Sequence, residues 1–215
     1  MSDITPFAVT PTTWNPADLQ AITLSGGNLI ASSTNNGGAR SVYGAPAASG
    51  KWYFEITCTT QQQFIDACGL ANSTQSLYDG GAYNHAVVVQ AGAGNIYVNA
   101  AGVGSIGAGY SSGAVLGFAF DLTANLIWVR RSPSGNWNGS GTANPATAAG
   151  GLSISAVTPP LYAYIQCGSV SEVWTLNAGA SAFSGAVPAG FSSGLGAGGG
   201  SGGGAAAQAR AMVFA

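Results

Sequence analysis

Charge is what this 215-residue chain lacks most. Only 6% of its residues are charged and the net charge is −2, where ordinary globular domains carry roughly a quarter charged residues. Its cations are Arg40, Lys51, Arg130, Arg131 and Arg210. Five scattered cations make no basic stripe to neutralise phosphates, so nucleic-acid binding is excluded. A polybasic membrane anchor is excluded on the same ground. Histidine is reduced to His85 and cysteine to Cys58, Cys68 and Cys167. That count and spacing provide no metal-ligand set, and no cofactor is expected. An odd cysteine count argues against a full set of internal bridges. Each cysteine sits in an apolar strand context, where a free thiol behaves as a small hydrophobe. A Cys58–Cys68 bridge, or one between subunits, stays open at this point. Long apolar runs are missing too, since Gly, Ser or Asn interrupts every one before it could cross a bilayer. The opening MSDITPFAVT has neither the basic nor the apolar region of a signal peptide, which predicts no export by that route.

Glycine is abundant instead, with 34 residues, while 47% of the chain is hydrophobic and 10% aromatic. Those fractions support a packed core. Polarity comes from Asn, Ser, Thr and Gly, a composition associated with extracellular and virion proteins. A virion part folds in host cytoplasm and works outside, which reconciles this surface with the missing export signal.

Strand-like runs recur with turn signals between them. In KWYFEITC (51–58), Trp52, Phe54, Ile56 and Cys58 fall on one side and Lys51, Tyr53, Glu55 and Thr57 on the other. Side chains alternate across a strand. The pattern predicts a half-buried strand whose charges meet water and fix register. Residues 22–33 read as a hairpin with Gly26-Gly27-Asn28 at its tip. Residues 85–90 and 95–100 form another around 91–94, and 115–122 pairs with 126–131 through 123–125. Runs 39–44, 64–71, 161–167 and 172–179 complete about ten strands. No segment has a convincing helical period, and glycine is too frequent for stable helices. The fold class expected is all-β, a two-sheet antiparallel sandwich.

Residues 192–207 are nearly pure Gly, Ala and Ser, a linker composition with little apolar surface to offset ordering entropy. QARAMVFA (208–215) regains Met212, Val213 and Phe214 after it. These three, with Phe7 in an N-terminal arm (1–13), are the expected assembly contacts. Such arms predict a homo-oligomer or a place in a symmetric assembly.

The order GKWYFE (50–55), then 113–121 with Gly117, Phe118 and Phe120, then Pro188-Ala189-Gly190-Phe191, resembles the SPRY-like (B30.2-related) domains of the concanavalin-like superfamily. It resembles in particular the versions found in tailed bacteriophages and prophages. Coverage runs from Trp14 to Phe191. The resemblance implies a β-sandwich recognition scaffold with binding loops at one end. It also implies that Asp121 ends a strand before a tight hairpin, and that no catalytic residue set exists. The expected function is a non-enzymatic virion protein, on tail, fibre, collar or capsid, contacting host surface or other virion proteins. A lectin-like bacterial or prophage adhesin is the alternative.

Two loops could carry a ligand. Residues 130–145 offer Trp137 between Asn136 and Asn138, an aromatic platform with amides for a glycan. Residues 72–85 gather Tyr78, Asp79, Tyr83, Asn84 and His85. Each loop has a plainer reading: Trp137 covering the core, and the second loop as a long connection. Taking Trp128 as inward, one of Arg130 and Arg131 should turn toward the inner sheet edge and pair with a carboxylate or carbonyls. Glycoside hydrolysis needs two carboxylates flanking a bond, and Glu55, Asp66, Asp121 and Glu172 show no such cluster in sequence.

Overall fold

The computed structural model describes residues 10–45 and 49–197. Phe7, Met212, Val213 and Phe214 lie outside them. The described chain forms β1 (Thr10–Pro11), β2 (Trp14–Ser25), β3 (Ile30–Ala45), β4 (Lys51–Thr60), β5 (Ala67–Ala71), β6 (Ala86–Gln90), β7 (Asn95–Val98) and β8 (Ala101–Ser105). Then come β9 (Ala114–Asp121), β10 (Leu126–Ser132), β11 (Leu152–Ser153), β12 (Leu161–Cys167), β13 (Val173–Asn177), β14 (Ser192–Ser193) and β15 (Gly196–Ala197). Helix is limited to two three-residue 3-10 turns, at Trp137–Gly139 and Pro145–Thr147.

Thirteen of these strands join one continuous sheet, in the order β11-β10-β9-β4-β13-β3-β12-β5-β6-β7-β8, with β2 added on β3 and β14 on β4. All pairings are antiparallel except the short β14–β4 pair. β3 makes the sheet continuous: Ile30–Ser32 pair with β13, whereas Gly37–Ala45 pair with β12. The two ends of the path converge, because a Cβ at Gly104 of β8 would lie 2.9 Å from Leu152 of β11. The sheet therefore curls nearly closed around a single core, where Trp52, Phe54, Leu70, Val89, Phe118, Ile165 and Trp174 are buried together.

The hairpins form where turn chemistry demanded them. Gly26, Gly27 and Asn28 all take positive φ, at 59°, 66° and 65°, a conformation cheap only for Gly and tolerated by Asn. Asp121 ends β9 and its Oδ1 accepts the Thr123 and Ala124 amides at 2.9 and 3.0 Å, tightening the turn into β10.

Several expectations are corrected. The strand expected at 64–71 begins only at Ala67, because Asp66 folds 61–66 into a turn by accepting backbone amides. Trp128 faces outward, against Tyr53, Ala119 and Phe191, while Ile127 and Val129 face the core. The linker expected from 192 is packed chain through 197. Leu195 is buried, its carbonyl accepts the Thr12 amide at 2.8 Å, and β15 pairs with β1. All three cysteines are free and buried. Burial pushes the Cys58 thiol up to about 12 and raises Cys68 and Cys167 well above their usual value.

Candidate recognition surface at one end of the sheet

Glu55 was expected to meet water but is only 2% exposed. Its face of β4 is covered by the segments around 137 and 183, so that Tyr53, Trp128, Phe191, Trp137 and Phe183 pack as a second apolar layer. The carboxylate is satisfied inside that layer. Oε1 accepts Tyr53 Oη at 2.6 Å, Ser132 Oγ at 2.8 Å and the Gly185 amide at 2.8 Å, and Oε2 accepts the Ser184 amide at 2.8 Å. A Cβ at Gly185 would sit 2.7 Å from Arg130 Nη2 and 2.8 Å from Ser132 Oγ, so a larger residue would push these side chains away from their present partners. Burial, and after it the bond to Glu55, pushes the Tyr53 phenol up to about 12. The carboxylate thus ties β4, β10 and the 183–186 segment together.

Trp137 belongs to the same layer. The Arg130 guanidinium lies 4.2 Å from its ring centroid and donates to the Ala186 carbonyl at 3.0 Å, an arrangement held by cation–π attraction. Tyr53 meets the indole edge-on at 6.4 Å. One face of the expected glycan platform is therefore occupied by Arg130. Asn138 spends its amide on the backbone, accepting from Val129 N and donating to the Ile127 and Gly150 carbonyls. Asn136 is exposed beside it.

The 72–85 loop covers the outer face of the other half of the sheet. Tyr83 is 0% exposed and packs with Ala67, Ala71, Val88 and Tyr164, donating to the Ile65 carbonyl at 2.7 Å. In the loop expected to carry a ligand, its ring is thus closed off from solvent. Tyr78 accepts from Asn36, and Asp79 accepts from Gln75 and from the Gly81 and Ala82 amides. Asn84 and His85 remain exposed. His85 borders a hollow of about 320 Å³ with Asn72, Ser73, Thr74 and Pro160.

At the opposite end of the strands, loops 61–66, 91–94, 106–113, 133–136 and 168–172 come together by register. Asp66, fully buried, organises two of them: Oδ2 accepts the Gln63 amide at 2.9 Å and Oδ1 the Gly168 amide at 2.9 Å. The loops so pinned present Phe64, 77% exposed, and Val170, 51% exposed. Glu172 is buried beside Asp66, and both its carboxyl oxygens lack a hydrogen-bond partner among the described residues. Burial first, then the Asp66 carboxylate, pushes Glu172 up to about 8. Next to the Phe64 loop, and joined to it by Gln61 N donating to Ser112 Oγ at 2.9 Å, lies a hollow of about 460 Å³. Ser111, Ser112, Gly113, Arg131, Ser132 and Ser184 contribute to its wall.

The sequence reading missed Phe64 by placing it inside a strand. The available signal was Asp66 three residues after Gln63, an acceptor spaced to close a turn. No group of three or more His, Cys, Asp or Glu side chains suited to a metal occurs among the described residues.

No family model matches the chain, and no curated protein matches it in sequence. Solved structures do. The SPRY domain of human HERC1 aligns with a TM-score of 0.59 at 13% identity, covering 79% of this chain and 99% of that one. The fold is SPRY-like. A human SPRY domain aligns at 0.54 with 19% identity, covering 76% and 99%, and the TRIM65 PSpry domain at 0.55 with 13% identity, covering 78% and 92%. Identities this low speak for the fold alone. Two of the three segments that carried the SPRY resemblance lie side by side within it. β4 pairs with β9 from Lys51 opposite Asp121 to Cys58 opposite Ala114, and the first pair closes an ion pair at 3.2 Å.

Proposed function

We propose that this chain is a non-catalytic recognition module of a tailed-bacteriophage virion, a SPRY-like two-sheet sandwich that contacts host surface through one end. The observation that carries the reading is Phe64: a large aromatic, mostly exposed, on a loop pinned by a fully buried carboxylate. A rigidly presented aromatic loses little entropy on binding, which makes it an effective anchor. Loops on a rigid scaffold are the usual place for such contacts. Val170 on the neighbouring loop extends the apolar contact. The acids support a non-catalytic reading. Glu55 is committed to four donors, Asp121 to a turn and Lys51, and Asp66 and Glu172 are closed off from solvent. The raised, buried thiols make poor nucleophiles. The low charge and the phage-type SPRY resemblance support placement on a virion.

The test is saturable binding of the purified chain to host cells, compared with Phe64→Ser. The exposed site predicts an unchanged melting temperature and at least tenfold weaker binding for the variant. Equal binding by both proteins, or none by either, would overturn recognition through this end.

A further inference from the structure

The four described cations differ in one respect. Arg40 forks onto Asp18 at 2.7 and 2.8 Å, Lys51 pairs with Asp121, and Arg130 is held by Trp137 and the Ala186 carbonyl. Arg131 is exposed, and its guanidinium has no acceptor among the described residues. Of the two arginines at this strand end, it is Arg130 that finds a carbonyl, that of Ala186. In a chain with so few charges, an exposed arginine that lines a hollow and has no acceptor among the described residues is the exception that calls for a ligand. The wall around it is hydroxyl-rich: Ser111 and Ser184 have exposed side chains, and Ser112 Oγ, which accepts the Gln61 amide, keeps its own proton to donate.

We propose that this hollow binds the carboxylate of an acidic saccharide, with Arg131 forking onto the carboxylate and Ser111, Ser112 and Ser184 meeting the ring hydroxyls. The inference deepens the end-face reading and rests on it for biological context. Guanidinium and carboxylate match in a planar, two-bond geometry stronger than neutral hydrogen bonds. The volume of about 460 Å³ lies within the range of small-ligand sites. A neutral sugar would want an aromatic face to stack on, and no aromatic among the described residues lines this hollow. An acidic peptide is disfavoured because the backbone edge it would extend is already used. The Arg131 carbonyl accepts Gly135 N at 2.8 Å, and the Asn138 amide caps Ile127 and Val129. Strand addition, the usual source of peptide affinity at a sheet edge, is closed here. Recognition is left to side chains.

The matched probes are glucuronate and glucose, which differ by the carboxylate, titrated into the full chain and observed by saturation-transfer NMR. Saturable transfer to glucuronate, none to glucose, and at least tenfold weaker binding by Arg131→Gln with an unchanged melting curve are expected. Equal signals from the two sugars, or no glucuronate binding, would overturn the proposal. So would glucuronate binding unaffected by Arg131→Gln, or a glutamate-rich peptide that binds through Arg131 in preference to glucuronate. Cell binding kept by Arg131→Gln but lost by Phe64→Ser would leave the end-face reading standing, so the sugar titration alone decides the hollow.

Discussion

Glu172 shows how one position joins pattern and consequence. It continues the inward alternation of Trp174 and Leu176 and so carries a carboxyl into the core, where Asp66 and the thiols of Cys58 and Cys167 face it. The usual value of 4.5 is raised to about 8 in the fold. Between those values the folded chain keeps a proton that the unfolded chain has released. Stability is therefore full below the lower value and falls as pH rises through the window, by up to about 1.4 kcal/mol per pH unit, flattening above the upper one. Thermal melts from pH 5 to 9 check this, with Glu172→Gln expected to lose most of the slope and to be more stable than the parent at pH 8. Matching pH profiles would remove Glu172 as the cause. Alternation placed this side chain on the inner face. Its burial beside Asp66 required two loops distant in sequence to meet, which no local pattern records.

β4 illustrates the element scale. Its period-two pattern was legible, and Trp52, Phe54, Ile56 and Cys58 do line the core. The opposite face was misjudged because alternation says only that two faces differ, not that the polar one meets water. Phe183 packs edge-on against Tyr53 at 5.0 Å, and together with Trp137 it makes that face interior. Glu55 became the acceptor for four donors, two of them amides more than a hundred residues away in sequence. Glu55→Ala should cost about 2–4 kcal/mol, since it strands buried donors without an acceptor. Urea denaturation measures it, and an unchanged midpoint would show that the covering layer stands without the carboxylate. The two loops nominated for ligands were legible as long and aromatic, but Trp137 and Tyr83 serve as covers over the sheet. Phe64 was overlooked because an apolar residue next to a strand reads as part of it.

For the whole molecule, the scarcity of charge has a structural side. Most described cations and carboxylates are used internally, which leaves a surface of Ser, Thr, Asn and Gly and gives prominence to the few exposed features at one end. The apolar peptide 208–215 follows a Gly-rich stretch in the sequence, and the assembly role proposed for it can be tested directly. Deleting it is expected to leave the melting temperature within about 1 °C of the parent and to reduce incorporation into particles severalfold. Quantitative blotting of purified particles measures the latter, and undiminished incorporation would remove the assembly role.

The sequence by itself determined the all-β class, the hairpins at 26–28, 91–94 and 123–125, and the inward row of β4. These depend on turn chemistry and on a two-residue period, both local. Tertiary structure alone decided which outer faces are covered, where Asp66 and Glu172 meet, and that Arg131 finds no acceptor among the described residues. Those outcomes depend on loops closing over distances of a hundred residues, where desolvation and hydrogen-bond satisfaction, not periodicity, select the partner.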